Sequence, residues 1–202
     1  MNILACGALA NELVALKQLN HWQDWNIVCL PAHYHQTPQK IPTAVKTAIG
    51  KIRQQNSDEI FVAYGDCGTG GRLDSVLEEA GVERLPGAHC YEFFAGGRVF
   101  AELQETELGT FYLTDFLVSH FDTYVWKALG LDRKPELMEM YFGNYKKLVY
   151  LAQTQSERCI AQAKLHAKKL GLTFEHRYTG YGELGDELTS LATIKVAEPC
   201  LI

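Results

Sequence analysis

Short, wholly apolar runs alternate with stretches whose apolar residues recur three and four apart, and this alternation sets the elements of the first half of the chain. Residues 2–5, 25–30, 59–64 and 82–85 read as strands; Phe61-Val62-Ala63-Tyr64 is apolar throughout, as in a strand covered on both faces. Residues 11–19 carry Leu13, Val14, Leu16 and Leu19 at helical spacing, with Asn11 as the expected N-cap. Residues 42–55 form a second expected helix, with Pro42 in its first turn and Val45, Ala48, Ile49 and Ile52 on one face. A third spans 73–80 and stops at Gly81. Strand, helix, strand in that order predicts a parallel sheet covered by helices on both faces.

The second half is less regular. Strands are expected at 110–113, 148–152 and 172–178, and helices at 117–129, 135–147, 157–170 and 181–192. Residues 193–202 read as an extra strand or an arm on a neighbouring subunit. The fold class is α/β, a Rossmann-like three-layer arrangement with a mainly parallel sheet. It forms a single domain over residues 1–202, with a lobe boundary expected near 96–109, where Gly96-Gly97 and the 105–109 segment interrupt the pattern.

Composition narrows the classes of function. The 202 residues are 47% hydrophobic and 21% charged, with a formal net charge of −5, so no basic surface for nucleic acid or anionic lipid is implied. No apolar run reaches the ~20 residues of a membrane span, and the first residues lack the basic start of a secretory signal. A cytoplasmic protein with a small-molecule substrate is expected, with a homo-oligomer as a further expectation. Six cysteines without a CxxC pair fit neither a secreted disulfide scaffold nor a zinc ribbon.

Three of those cysteines follow strands. Cys6, Cys67 and Cys90 each come just after an apolar run, among glycines and polar residues. In an open parallel sheet the carboxyl ends of the strands face one crevice, so thiols distant in sequence meet there. Cys6, Cys67 and Cys90 are therefore the candidate metal ligands, with one coordination position left open. Cys29, Cys159 and Cys200 read as small buried apolar residues.

The loop Asp66-Cys67-Gly68-Thr69-Gly70-Gly71 joins a strand to a helix. The amides of Gly68, Thr69, Gly70 and Gly71 are expected to bind an anion or the charge of a bound group. The helix start beyond them should lower the Cys67 pKa, which makes it the candidate nucleophile. His33 and His35, two apart on an expected extended segment, should point to one side, and His89 adjoins Cys90. These three histidines and Glu92 are the candidate proton-handling groups. The aromatics at 91–94 read as core or pocket wall, and Thr114-Asp115 as a helix cap on the same edge.

The segments Ala5-Cys6-Gly7-Ala8-Leu9, Cys29-Leu30-Pro31-Ala32, the 64–71 loop, Pro86-Gly87-Ala88-His89-Cys90-Tyr91 and Gly109-Thr110-Phe111-Tyr112-Leu113-Thr114-Asp115 together resemble a prokaryotic family, domain of unknown function 1638. The resemblance covers nearly the whole chain and implies no established activity. It does imply encoding beside corrinoid-dependent methyl-transfer proteins, and so a place near one-carbon metabolism with corrinoid methyltransferase components as partners. The corrinoid-binding DxHxxG motif is absent. In arrangement alone, the three cysteines are similar to those of quinolinate synthase and the thiouracil desulfidases, whose Rossmann-like lobes each give one cysteine to an open-site four-iron cluster.

The expectation is thus a [4Fe-4S] cluster on Cys6, Cys67 and Cys90, with an open iron for a small molecule of one-carbon or sulfur metabolism. The alternatives are zinc with a histidine as fourth ligand, a metal-free accessory subunit for methyl transfer, and a cysteine nucleophile, Cys67 with His89.

Overall fold

The computed structural model describes residues 1–55 and 59–197, with side chains to 193. Residues 193–197 of the expected tail continue the last helix instead of forming a strand or an arm, and 198–202, Cys200 among them, lie outside the described residues. Strand β1 (Asn2–Cys6) leads through a 3-10 turn at Gly7–Leu9 into α1 (Ala10–Leu19). Next come β2 (Asn26–Leu30), α2 (Ile41–Arg53), β3 (Ile60–Ala63), α3 (Arg72–Ala80) and the short β4 (Glu83–Arg84). These strands form one parallel sheet in the order β2-β1-β3-β4.

Two helices follow, α4 (Cys90–Ala95) and α5 (Gly97–Thr106). A second parallel sheet, β5-β6-β7, comprises Thr110–Leu113, Lys147–Ala152 and Thr173–Tyr178. Between β5 and β6 lie α6 (Asp115–Ser119), a π-helical turn at Asp122–Trp126 and α7 (Leu137–Phe142). Helix α8 (Glu157–Leu170) links β6 to β7, and α9 (Gly182–Ala197) ends the described chain. The α/β class is as the pattern predicts, but the strands divide between two sheets. The first ends at Arg84 and the second begins at Thr110.

Each sheet is a layer between helices. Leu4, Val62 and Tyr64 pack under α2 and α3 through Val45, Ile49, Ile52, Leu73 and Leu77. On the opposite face, Ile3, Ala5, Phe61 and Ala63 meet Leu9, Leu13 and Leu16 of the α1 region, Phe93 and Phe94 of α4, and Leu184 and Leu188 of α9. Burying each such side chain contributes about 1.5–3 kcal/mol, so these stripes set the register. Val14 and Leu19, expected on the buried stripe of α1, are exposed. Leu9 caps α1 without a side-chain bond, so the helix starts two residues earlier than an Asn11 cap requires.

In the second lobe, Leu148, Tyr150 and Ala152 face α6 and α8, while Val149 and Leu151 face Tyr91, Ala95, Phe100 and Leu103. Helix α4 therefore lies between the lobes, with Phe93 and Phe94 in one core and Tyr91 and Ala95 against the other. Gly96, at φ +82°, is the joint between α4 and α5, a left-handed position that favours glycine. The helix expected at 135–147 is shorter, because β6 claims Lys147. Among the described residues no helix is long and apolar enough to cross a membrane.

Candidate functional site

β1 and β3 are paired with Ala5 opposite Ala63, so Cys6 and Tyr64 leave the sheet side by side. The chain then bends through Gly65. A β-carbon there would lie 3.1 Å from Phe93 Cζ and 3.2 Å from the Ala88 carbonyl, so glycine is what lets the two loops close up. Two backbone bonds fasten them. Asp66 N donates to Gly87 O at 3.2 Å, and Cys67 N donates to Ala88 O at 2.8 Å. Cys67 is thereby held beside the loop that delivers Cys90.

The outcome is one enclosed pocket lined by Cys6, Cys67 and Cys90 together, with Tyr64 and His35. Leu9, Phe93, Phe94, Phe116 and Leu117 supply apolar wall, and Thr114, from the second lobe, closes it. Both sheets thus contribute the ends of their strands. The enclosed volume is about 20 Å³, which is room for roughly one water-sized body. A larger open groove of about 740 Å³ lies between β2 and α2, but no thiol lines it.

The thiols are neutral. Burial pushes the Cys67 pKa up to about 12, with the Cys6 charge adding to the rise. Burial raises Cys6 as well, against the pull of the Ala8 amide and the Tyr64 hydroxyl. Cys90 is raised further by burial, then by Cys67 and Cys6. The expected lowering at Cys67 is overturned: four residues separate it from the start of α3 at Arg72, and the enclosed, apolar surroundings outweigh any helix-end field. Tyr64 Oη is buried and, among the described residues, meets no hydrogen-bond partner in ordinary geometry; its neighbour is the Cys6 thiol.

The glycine loop is occupied by its own aspartate. Asp66 accepts bonds from Thr69 Oγ1 at 2.5 Å, Gly71 N at 2.9 Å and Gly70 N at 3.1 Å. These donors, the Thr69 hydroxyl foremost, hold its pKa down at about 2. The amides offered by the sequence to a bound anion are therefore engaged by a carboxylate two bonds from the same backbone.

The proton-handling candidates separate. Residues Ala32–Gln36 form a 3-10 turn rather than an extended segment, so His33 and His35 point apart. His35 reaches the pocket rim, where desolvation, then the charge of His89, holds its pKa below the ordinary value. His33 meets the Tyr34 ring at a tilt and His89 stands exposed at the start of α4; neither lines the pocket. Glu92 turns back to accept from Ala88 N at 2.7 Å, which braces the loop before Cys90. Cys29 is exposed on the edge strand, outside the pocket.

One group was not singled out by sequence. Glu12, on the first turn of α1, is 5% exposed, and its Oε2 is buried without a partner among the described residues. Burial pushes its pKa up to about 7, with the Asp115 charge adding to the rise. Asp115 itself is well held, accepting from Tyr150 Oη at 2.6 Å, Thr154 Oγ1 at 2.6 Å, Gln153 N at 3.0 Å and Thr154 N at 3.0 Å.

Among the described residues, no group of three or more His, Cys, Asp or Glu side chains stands ready to hold a metal ion. By kind, three thiols beside the Tyr64 hydroxyl are donors of the sort a zinc-type ion takes.

A family model described as Protein of unknown function (DUF1638) matches residues 29–188. The chain belongs to this family. The part matched to the family includes His35, Cys67, Cys90 and the 66–71 loop; Cys6 and Glu12 precede it. Comparison with curated proteins finds no match, and comparison with solved structures finds none.

Proposed function

We propose that this protein takes up one thiophilic metal ion, zinc by its donor set, on Cys6, Cys67 and Cys90. The ion would serve a small thiol- or methyl-bearing molecule in one-carbon or sulfur metabolism. The observation that carries this reading is the convergence of three thiols, from the end of β1, the loop after β3 and the start of α4, on one enclosed pocket. When bound there, zinc would supply an open position that holds a thiol in its deprotonated form.

The chain's own residues do the rest. Leu9, Phe93, Phe94, Phe116 and Leu117 exclude water and favour an apolar ligand end. The Tyr64 hydroxyl offers an unused hydrogen bond beside Cys6. His35, at the rim, is positioned to exchange protons with solvent. Components of corrinoid-dependent methyl transfer are the proposed partners, with this chain as the member that presents or activates the thiol.

The test is anaerobic purification followed by metal, iron and sulfide analysis. About one zinc per chain without visible colour supports the proposal. Iron and sulfide with broad visible absorption would replace the single ion by a four-iron cluster. A chain that carries no metal and takes up neither zinc nor a reconstituted cluster overturns both. Single Ser substitutions at Cys6, Cys67 and Cys90 should each abolish stoichiometric uptake, while Cys29→Ser should leave it unchanged.

A further inference from the structure

A strand at the edge of a sheet leaves every second N–H and C=O without a partner strand, and folds ordinarily protect such an edge with charge, brevity or a cover. Among the described residues the other edges follow that rule. β4 is short and both its residues, Glu83 and Arg84, are charged; β7 carries Glu175, His176 and Arg177; Thr110, Tyr112 and Leu113 of β5 are buried. β2 does not follow it. Asn26-Ile27-Val28-Cys29-Leu30 pairs with β1 alone, bears no charge, and leaves Asn26 and Cys29 exposed.

The ladder defines what this edge offers. Asn26 N donates to Met1 O at 2.9 Å, so Asn26, Val28 and Leu30 turn their backbone groups toward β1, and Ile27 and Cys29 turn theirs outward. The edge is closed at both ends. Trp25 N donates to Trp22 O at 3.2 Å, Trp25 O accepts from Lys17 Nζ at 2.5 Å, and Pro31 has no N–H. What remains is the N–H and C=O of Ile27 and of Cys29, set evenly about Val28.

We infer that two copies of this chain join by antiparallel pairing of β2 with β2 about a two-fold axis at Val28. Ile27 of each copy then faces Cys29 of the other as a hydrogen-bonded pair, every outward group is satisfied, and Val28 meets Val28 as the close, non-bonded pair. An axis at Cys29 would set Ile27 against Pro31, and an axis at Ile27 would set Cys29 against the engaged Trp25; each loses bonds. The flanks fit the same occupant, because the edge stands clear of the helices on both faces. Val28, Leu30, Ala44 and Ile52 line the open groove of about 740 Å³ on the α2 side. A second groove, of about 450 Å³, lies on the α1 side against Ile27, Trp25 and Val14, whose 46% exposure the pairing accounts for. Roughly 20 residues line the two grooves, close to the 20–30 a side of a stable interface. The charged residues among them are Lys17, Lys40 and Lys51, so backbone bonds and apolar area drive the pairing, and salt tightens it by screening like charges.

Sedimentation equilibrium and cross-linking test the pairing. The wild-type chain should dimerise with a dissociation constant below about 10 μM, lower at about 0.5 M than at about 0.05 M salt. Cys29→Lys, at an exposed position, should raise that constant at least about tenfold with an unchanged circular dichroism spectrum. In a Cys29→Ser background, mild oxidation should link Val28→Cys to its mate, because the two Cα atoms lie about 4.5 Å apart. Asn26→Cys, about 13 Å from its mate, should not link, and mass spectrometry identifies the bridged peptides. A chain that stays monomeric at about 100 μM overturns the pairing. So does a dimer that salt loosens, that Cys29→Lys leaves intact, or that links equally at 26 and 28. If V28C fails to fold, the Cys29→Lys comparison decides.

Discussion

At Cys67 the backbone holds a side-chain-bearing residue at φ +49°, in the left-handed region. That conformation costs a non-glycine residue about 1–2 kcal/mol. It is maintained by the Cys67 N bond to Ala88 O and by the turn that Asp66 imposes. Cys67→Gly should therefore match or exceed the wild-type urea midpoint, and Cys67→Val should fall about 1–2 kcal/mol below it; equal stability of the two variants would contradict the strain. Tyr64→Phe removes a buried hydroxyl that has no partner of ordinary geometry. The metal-free protein should lose less than about 0.5 kcal/mol by it, while zinc affinity falls about tenfold, measured by competition with a chromophoric chelator. The three thiols were legible singly because each ends an apolar run among glycines. Glu12 was not: an acidic residue on the first turn of a helix reads as a solvated group at a favourable helix end, and only the docking of α4, α6 and α9 buries it. The pairing of His33 with His35 failed for a local reason, since residues Ala32–Gln36 wind into a 3-10 turn and the two-residue period of a strand does not apply.

Among the elements, the 64–71 loop is the one that aims the chemistry. Asp66 serves it as a lock, and a carboxylate whose folded pKa is depressed stabilises the fold above its unfolded value and loses that contribution as pH falls through the folded one. The contribution of Asp66 is thus whole above about pH 4 and disappears toward about pH 2. Asp66→Ala should cost about 1 kcal/mol near neutrality, the usual worth of such a turn cap, and should flatten the acid limb of the stability curve in that window. Gly65→Ala tests the fastening from the other side: its β-carbon would press on Phe93 and Ala88, part the two loops and weaken zinc uptake without touching a ligand. Helices with a clean 3.6-residue stripe were readable from sequence. For α8 both ends were marked, by Ser156 bonding Cys159 N at 3.3 Å and by Gly171 at φ +72°. The α4–α5 pair was not readable, because Gly96-Gly97 looks like a linker when the chain in fact uses Gly96 to turn between two helices.

For the molecule as a whole, Glu12 has a thermodynamic signature apart from any reaction. A carboxyl whose folded pKa is raised favours the protonated form in the fold. Its stabilisation is complete below about pH 4.5 and is lost as pH rises through about 7. Wild type should therefore lose up to about 3 kcal/mol across that interval, and Glu12→Gln should not. Urea titrations at several pH values should show the two curves diverging; parallel curves would place Glu12 in water. The parallel strands and the layer of helices on each face followed from the alternation of apolar runs, but the division into two sheets did not. The return of α9 to the first core is decided by packing between residues more than a hundred apart, Leu184 and Leu188 against Ile3 and Phe61 among them.

That return has a consequence for the order in which the protein is made. Cys6, Cys67 and Cys90 leave the ribosome before Thr114, Phe116 and Leu117, which wall their pocket, and before Leu184 and Leu188, which complete the core beneath α1 and α4. Until that last helix docks, a nascent chain carries three thiols with part of their shielding not yet synthesised. If the thiols take up the proposed ion, its loading belongs after translation of α9, and oxidants should reach the three thiols more readily in chains still being made than in the finished fold.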